Sequence, residues 1–264
     1  MNNTQPKSLP AIAVLTLLFA APGVYAADGK FSFTTGIDYS TGDYGADEDT
    51  DILYVPFTGK YETERWFFRL TVPYLRITGP GAVVLGPDGN PIVVSANGTA
   101  RRETHDGVGD VIFGAAYNLL PGTWRGVVLD IGAKVKFPTA DEDKGLGTGE
   151  TDYQLQADAY KTFGRWTAIG TFGYKWLGDP DDFTLKDVFF GSIGAGYKFS
   201  QQTSGGLIFD FREASVSGSD PLQELVAYVT HKLTGTTKLQ GYAVAGLTES
   251  SPDWGLGATV TFDF

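Results

Sequence analysis

The sequence predicts an all-β protein, a closed antiparallel transmembrane β-barrel of about 12 strands with short periplasmic turns and longer acidic extracellular loops. Three observations predict this fold. The chain begins with the features of a secretory leader. Segments of about ten residues then alternate between apolar and polar positions, as strands that cross a membrane do. The last of these segments ends on an aromatic residue, Phe264.

The N-terminal segment is predicted to be a signal peptide. Lys7 precedes an apolar run over residues 9–22, which is too short to cross a bilayer as a helix. The small-x-small sequence Val24-Tyr25-Ala26 that follows is typical of a signal-peptidase site. We therefore expect residues 1–26 to be removed and residues 27–264 to form the barrel in the outer membrane of a Gram-negative bacterium.

Composition excludes several function classes. The chain carries 20 basic and 31 acidic residues, a net charge of −11, which argues against a nucleic-acid partner. It contains no cysteine, so disulfides, thiol catalysis and thiolate metal sites are excluded. No other apolar stretch is long enough for a membrane helix, which excludes a helical membrane protein.

The alternating pattern divides the chain into strands, turns and loops. The predicted strands are 31–41, 50–62, 65–78, 106–119, 125–137, 151–163, 166–177, 186–199, 204–215, 222–234, 237–248 and 254–264. An even number of strands places both termini on the periplasmic side, where the connections are short. The alternate connections are longer and acidic; their carboxylates are predicted to be solvated, the alternative being divalent cations held beside lipopolysaccharide.

The final strand is the clearest. From Trp254 to Phe264 every even position is apolar and every odd position is Gly, Thr or Asp. A strand of this kind at the chain end resembles the signal that bacterial barrel-assembly machinery reads. We expect that machinery as a partner, along with outer-membrane lipid and lipopolysaccharide on the apolar face.

The polar phase of the strands predicts the inner surface of the barrel. A Lys or Arg on the lipid face at mid-depth costs about 2–4 kcal/mol, so charged residues in the strands should point inward. The predicted pore-lining residues are Asp38, Lys60, Glu62, Arg69, Asp110, Asp130, Lys134, Lys136, Asp158, Lys175, Lys198, Asp210, Arg212, Glu224 and Lys232. Leu129, Ile131 and Leu155 should face lipid. The charges predict a wetted pore for a small solute or, alternatively, an interior cross-linked by ion pairs that conducts nothing.

Residues 79–105 form a long segment with its own pattern. Apolar residues 82–85 and 91–94 flank the turn sequence 86–90, which predicts a hairpin. The hairpin either enters the mouth as a constriction or extends the wall outward, and extension is favoured. Arg101 and Arg102 lie in an otherwise acidic rim, where they are predicted to attract a carboxylate.

Catalytic and cofactor motifs are weak. Gly145-Leu-Gly147-Thr-Gly149 is followed by an alternating segment rather than a helix, which indicates turn chemistry and not a dinucleotide loop. The two histidines have no metal-ligand spacing, so neither a metal nor a cofactor is expected. His105-Asp106 raises the alternative of a hydrolase at the barrel mouth, but no second acidic pair and no Ser motif accompany it. The sequence predicts a protein that is not an enzyme.

Several of these stretches resemble a known family. The resemblance is to a family of outer-membrane transporters associated with the meta-pathway of phenol degradation. It is carried by Lys134-Val-Lys136-Phe-Pro138-Thr139, by Gly145 to Gly149 with Asp152, and by Gly107-Val-Gly109-Asp110. The hairpin at 80–95 departs from that pattern. The resemblance covers most of the chain and implies passive transport of small organic compounds, including aromatic ones.

Two functions from different classes therefore stay open. The first is a passive channel for small organic, aromatic or hydrophobic compounds, with the lumenal charges setting selectivity. The second is a structural or adhesive barrel without a conducting pore, whose acidic loops contact partners.

Two prolines lie within neighbouring predicted strands. Pro56 and Pro73 are at nearly equal distances from the turn at residues 63–64, so they should lie side by side. Each lacks the N–H that a strand ladder uses. The favoured account is that each proline occupies a bulge or lies where the strands rise beyond the bilayer. The alternative is a lateral gap in the wall, with Phe57 and Val72 on its lipid side and with Tyr54 and Leu75 on its inner side.

Overall fold

The computed structural model describes residues 29–46, 48–80, 83–85, 91–93, 102–120, 126–180 and 184–264. The predicted signal peptide, residues 1–26, lies outside the described residues. Within the described ranges no helix has the length and apolar character needed to span a bilayer. The only helical turn in this part of the chain is a short 3-10 turn at Glu142–Lys144.

Strands account for most of the described residues. Their bounds are β1 Lys30–Gly42, β2 Thr50–Glu62, β3 Trp66–Gly79, β4 Val83–Leu85, β5 Pro91–Val93, β6 Glu103–Val108, β7 Val111–Asn118, β8 Val127–Phe137, β9 Asp152–Phe163, β10 Trp166–Trp176, β11 Val188–Lys198, β12 Thr203–Arg212, β13 Leu222–Lys232, β14 Thr237–Gly246 and β15 Trp254–Asp263.

The main sheet closes on itself. Consecutive strands from β7 to β15 pair antiparallel with one another, β15 pairs with β1, and β2 joins β1 to β3. β6 and β7 both pair with β3 and together occupy one position in the wall. The structure is thus a closed antiparallel barrel of twelve strand positions, as the sequence predicts.

The fourth strand is predicted as one segment over 106–119, but the structure divides it into β6 and β7. Ile77 of β3 faces His105 of β6, whereas Thr71 faces Ile112 of β7, so one extra residue lies between the two registers. This is a β-bulge at Gly109 and Asp110. The bulge reverses the phase of the strand, which turns both His105 and Asp110 toward the interior.

The hairpin predicted within residues 79–105 forms. β4 and β5 pair antiparallel as a two-stranded sheet that is separate from the barrel sheet. Residues 81–82 and 94–101, which connect the hairpin to β3 and β6, lie outside the described residues, so the extension of the wall stays a prediction. The turn at 86–90 lies outside the described residues.

The two faces of the wall differ in polarity. Ile131 and Leu155 are 44% and 48% exposed on the outer face, whereas Asp130 and Asp158 are 2% and 4% exposed on the inner face. Aromatic pairs such as Trp166 and Tyr197, with ring centroids 4.8 Å apart, lie beside the short turns. This apolar outer face with aromatic ends is the pattern that lipid contact requires.

The two ends of the barrel also differ. The end with the short connections, which we call the turn end, contains both the start of β1 and the end of β15, because Ser32 faces Asp263. The opposite end, called the loop end, carries the long connections 43–49, 80–102, 138–151, 177–187, 213–221 and 247–253.

Candidate functional site

Near the loop end, apolar side chains fill part of the barrel interior. Two of them come from β2, two from β3, and one each from the loops 43–49 and 138–151. We call this cluster the apolar plug; its members are Ile52, Tyr54, Leu75, Ile77, Tyr44 and Leu146. Tyr44 and Leu146 are each 1% exposed, so both loops fold inward rather than outward. Burial raises the pKa of the Tyr44 phenol, whose hydroxyl is 2.6 Å from the Ser40 hydroxyl.

Lys136 anchors the loop that carries Leu146. Its Nζ lies 2.7 Å from an Asp152 oxygen and 3.1 Å from an Asp110 oxygen, and it donates a 2.7 Å hydrogen bond to the Thr148 hydroxyl. The side chain is only 3% exposed. Because Asp110 belongs to the bulge and Thr148 to the inserted part of the loop, one buried ammonium joins the wall to the plug.

The bulge and the first residues of the loop are joined by further hydrogen bonds. Asp110 Oδ1 accepts the backbone N–H groups of Thr139 and Ala140, each at 3.0 Å. The Thr139 hydroxyl accepts the Val111 N–H at 2.9 Å and donates to the Gly109 carbonyl at 3.2 Å. These bonds fix where the loop leaves β8.

Close packing explains two glycines of the loop. A Cβ at Gly147 would lie 2.6 Å from Asp110 Oδ2, so no larger residue fits while the loop is inserted. Gly149 has a φ of +72°, which favours glycine. Three separate stretches of the sequence therefore meet in the structure, and we call their contact the joint. They are 107–110, 134–139 and 145–152.

Two exposed contacts complete the loop. His105 Nδ1 is 2.8 Å from the Lys144 carbonyl oxygen. Lys144 also pairs with Asp141 at 3.0 Å, and this hydrogen bond lowers the pKa of the Asp141 carboxyl. His105, which raised the hydrolase alternative, is thus positioned as a contact of the loop backbone.

A lumenal pocket lies next to the plug, since Tyr54 belongs to both. It contains about 530 Å³ of space between atoms, part of it open to solvent. Its charged lining residues are Arg69, Lys134 and Asp158, and apolar contacts come from Phe67 and Ile112. A solute in this pocket would meet both apolar and charged side chains.

The interior has one polar and one apolar wall. On the polar wall Asn118 donates to Asp130 at 2.6 Å, while Asp158 accepts from both Gln156 and Thr171 at 2.7 Å. The apolar wall consists of Ile208, Val226, Tyr228 and Val244, with Ile169 and Tyr242 packed against them.

The remaining predicted pore-lining residues lie at both ends of the interior. Toward the loop end, Tyr242 donates a hydrogen bond to the buried Asp38. Lys175 lies 5.0 Å from the Phe190 ring centroid. Arg212 and Glu224 are buried there, and Asp210 faces Glu224 across β12 and β13. Toward the turn end, Lys60 pairs with Glu62 at 2.6 Å, and Lys198 and Lys232 are exposed.

The described rim arginine, Arg102, contacts a carboxylate of its own chain. Arg102 binds the Asp51 carboxylate and the Asp49 carbonyl of its own chain. The predicted carboxylate ligand of Arg102 is therefore an internal one. Arg101 lies outside the described residues.

Other interior residues were missed by the sequence prediction. Asp152, Gln154 and Gln156 are buried, and they have the same phase as Asp158, so strict alternation along β9 would have found them. Tyr44 and Leu146 lie in loops, where alternation gives no signal.

The prolines lie side by side. Pro56 faces Pro73, and the pairing of β2 with β3 continues without interruption on both sides of them. The Pro73 carbonyl accepts the Gly109 N–H at 2.9 Å, so the side of Pro73 that lacks a donor faces the bulge. The β1–β2 ladder is interrupted beside Pro56, at Gly36 and Ile37, with the same register on either side. The missing donors thus fall on the two outer sides of the β2–β3 pair and not between the prolines.

Comparisons with known proteins agree with this architecture. A crystal structure of an outer membrane channel from Pseudomonas putida F1 has a TM-score of 0.68 and 17% identity, over 91% of this chain and 98% of that one. The transport unit of the autotransporter AIDA-I from Escherichia coli has a TM-score of 0.50 and 9% identity, over 94% and 92% of the two chains. Likenesses at such low identity show the fold alone. A family model matches residues 34–264. The chain therefore belongs to the family described as "Putative MetA-pathway of phenol degradation".

Proposed function

We propose that the protein is a passive outer-membrane channel for small organic compounds, including aromatic or hydrophobic ones. The observation that carries the proposal is the lumenal pocket beside the apolar plug, with Arg69, Lys134 and Asp158 opposite Phe67 and Ile112. The family and the fold support a channel. In this proposal the turn end faces the periplasm and the loop end faces the outside.

The plug gives the channel its preference for apolar solutes over hydrated ions. An apolar constriction excludes hydrated ions by dewetting, because an ion must lose its water there without gaining a replacement ligand. An apolar solute loses little hydration and gains contact with residues such as Tyr44 and Leu146. Beyond the plug, the solute meets the hydrogen-bonding groups of the polar wall, which orient any hydroxyl or carboxyl group that it carries.

We also propose the cellular route. Residues 1–26 direct export and are removed, β15 with Phe264 is recognised by the barrel-assembly machinery, and the exposed outer face contacts lipid and lipopolysaccharide. The described side chains do not suggest catalysis: His105 holds the loop backbone, and the buried carboxylates such as Asp152 bind Lys136. We propose no cofactor or metal.

The prolines offer a second exit. A lateral gap in the wall would open beside Pro56, where the β1–β2 ladder is interrupted, or beside Pro73, where the bulge shifts the register. Phe57 would then line the lipid side, where it is 46% exposed, and Tyr54 and Leu75 of the plug would line the inner side. Replacing both prolines by Thr should slow uptake of a hydrophobic compound and spare a small polar one. Unchanged uptake of both by a folded variant would remove this route.

The test of the channel itself is uptake by proteoliposomes. Vesicles with the purified barrel should admit small aromatic compounds faster than protein-free vesicles and faster than sugars of similar mass. Uptake equal to that of protein-free vesicles for every compound would instead favour the structural or adhesive barrel.

A further inference from the structure

The turn end of the interior carries four lysines on one side of the barrel, on β2, β11, β13 and β14. Each lysine is followed by an apolar residue that is exposed on the outer face: Tyr61 46%, Phe199 55%, Leu233 55% and Leu239 43%. Because successive side chains in a strand point to opposite faces, the lysines point into the lumen. We call Lys60, Lys198, Lys232 and Lys238 the lysine patch.

The lysine patch is only partly neutralised. Glu62 pairs with Lys60 at 2.6 Å, and Asp263 pairs with Lys238 at 2.7 Å. Lys198 and Lys232 make no side-chain ion pair with any residue that the structure describes. Lys232 faces Lys238 directly in the β13–β14 register, and like charges opposite each other destabilise a strand pair. Folding alone therefore gives no reason for this arrangement.

The loop end has the opposite charge. Burial and the neighbouring carboxylates Asp43 and Asp49 raise the pKa of Asp253 in the loop before β15, as expected where negative charges crowd together. The inner surface at that end is also mainly acidic, with Asp38, Asp110, Asp152, Asp210 and Glu224 against Lys136, Lys175 and Arg212. The turn half of the interior also holds Asp130, Asp158, Glu62 and Asp263, so its positive charge is concentrated on the side of the barrel that carries the lysines.

We propose that the lysine patch is an anion-binding vestibule for small organic carboxylates at the turn end of the lumen. Four ammonium groups on one side of the opening attract a carboxylate from the pocket or from the solution beyond it. Lys161 of β9, at the same end, points outward instead, toward the face that would meet lipid headgroups. The consequence for transport rests on the proposed channel function, but the binding site does not.

Calorimetric titration of the full-length barrel in detergent with citrate tests the binding site. The double variant Lys198→Glu, Lys232→Glu should bind citrate at least about tenfold more weakly than the unchanged protein, and added salt should weaken binding further. Lys161→Glu, which makes the same charge change at the same end on the outer face, should bind as the unchanged protein does. Heat-modifiable migration in SDS gels confirms that each variant is folded. Equal affinities in the three proteins, or no binding by the unchanged protein, would overturn the proposal.

The same proteins in planar bilayers separate the two proposals. Citrate on the turn-end side should reduce the current through the unchanged protein more than citrate on the loop-end side. A protein that binds citrate but passes no current or solute would overturn the channel function and retain the vestibule. Equal block from both sides would overturn the vestibule and retain the channel.

Discussion

Replacing Lys136 by Met should release the loop 138–151 and destabilise the barrel. The ammonium group is 3% exposed and contacts Asp152 at 2.7 Å, Asp110 at 3.1 Å and Thr148 at 2.7 Å. Its loss leaves two buried carboxylates without their cation. Breaking a buried ion pair from one side costs about 3–5 kcal/mol. Met keeps most of the volume of the Lys side chain, so the loss reports the charge and not a cavity.

The matched control is Lys144→Met in the same loop. Lys144 pairs with Asp141 at 3.0 Å, but the two side chains are 50% and 43% exposed. An exposed pair of this kind is worth about 0–1 kcal/mol. Urea unfolding in lipid vesicles measures both losses, and hydrogen exchange of residues 138–150 shows whether the loop has come free. A loss for Lys136→Met no larger than that for Lys144→Met, with unchanged exchange, would refute the anchoring role of Lys136.

Two further predictions concern packing and orientation. Gly147→Ala should lower the free energy of unfolding by about 1–3 kcal/mol through overpacking, because its Cβ would lie 2.6 Å from a carboxylate oxygen. The control Gly235→Ala meets nothing within 4 Å and should be neutral in the same unfolding assay. Equal costs would contradict the inserted position of the loop. In intact vesicles, a membrane-impermeant thiol reagent should label a cysteine at Lys134 and not one at Ile131. The reverse pattern would show that the inner phase of β8 is wrongly assigned.

The strands could be predicted because the lipid and the lumen impose opposite demands on alternate residues. β2 begins and ends at the predicted residues 50 and 62, and β10 begins at the predicted residue 166. The same rule places Asp130 and Asp158 on the buried face. Where one extra residue enters the wall, as at Gly109, alternation fails, since a bulge changes phase without a change in composition.

The plug could not be predicted for a related reason. Leu146 lies among glycines and charged residues, and its burial depends on contacts with β2 and β3, about 70–95 residues earlier in the chain. The motifs that carry the family resemblance include residues of the joint, such as Asp110, Lys136 and Asp152. They do not show that these residues contact one another. Spacing along the sequence does not show which side chains a closed barrel brings together.

Single-channel conductance of the purified protein and of Leu146→Ala tests the central claim most directly. The substitution removes the loop's main contact with the plug and should lower the free energy of unfolding by about 2–5 kcal/mol. Migration as a folded barrel in SDS gels shows that the barrel wall of the variant is intact. The account predicts small conductance steps for the unchanged protein, larger steps for the variant, and block of both by a small aromatic solute. A closed baseline for both proteins across voltages and solutes would contradict a channel with a plug at its loop end.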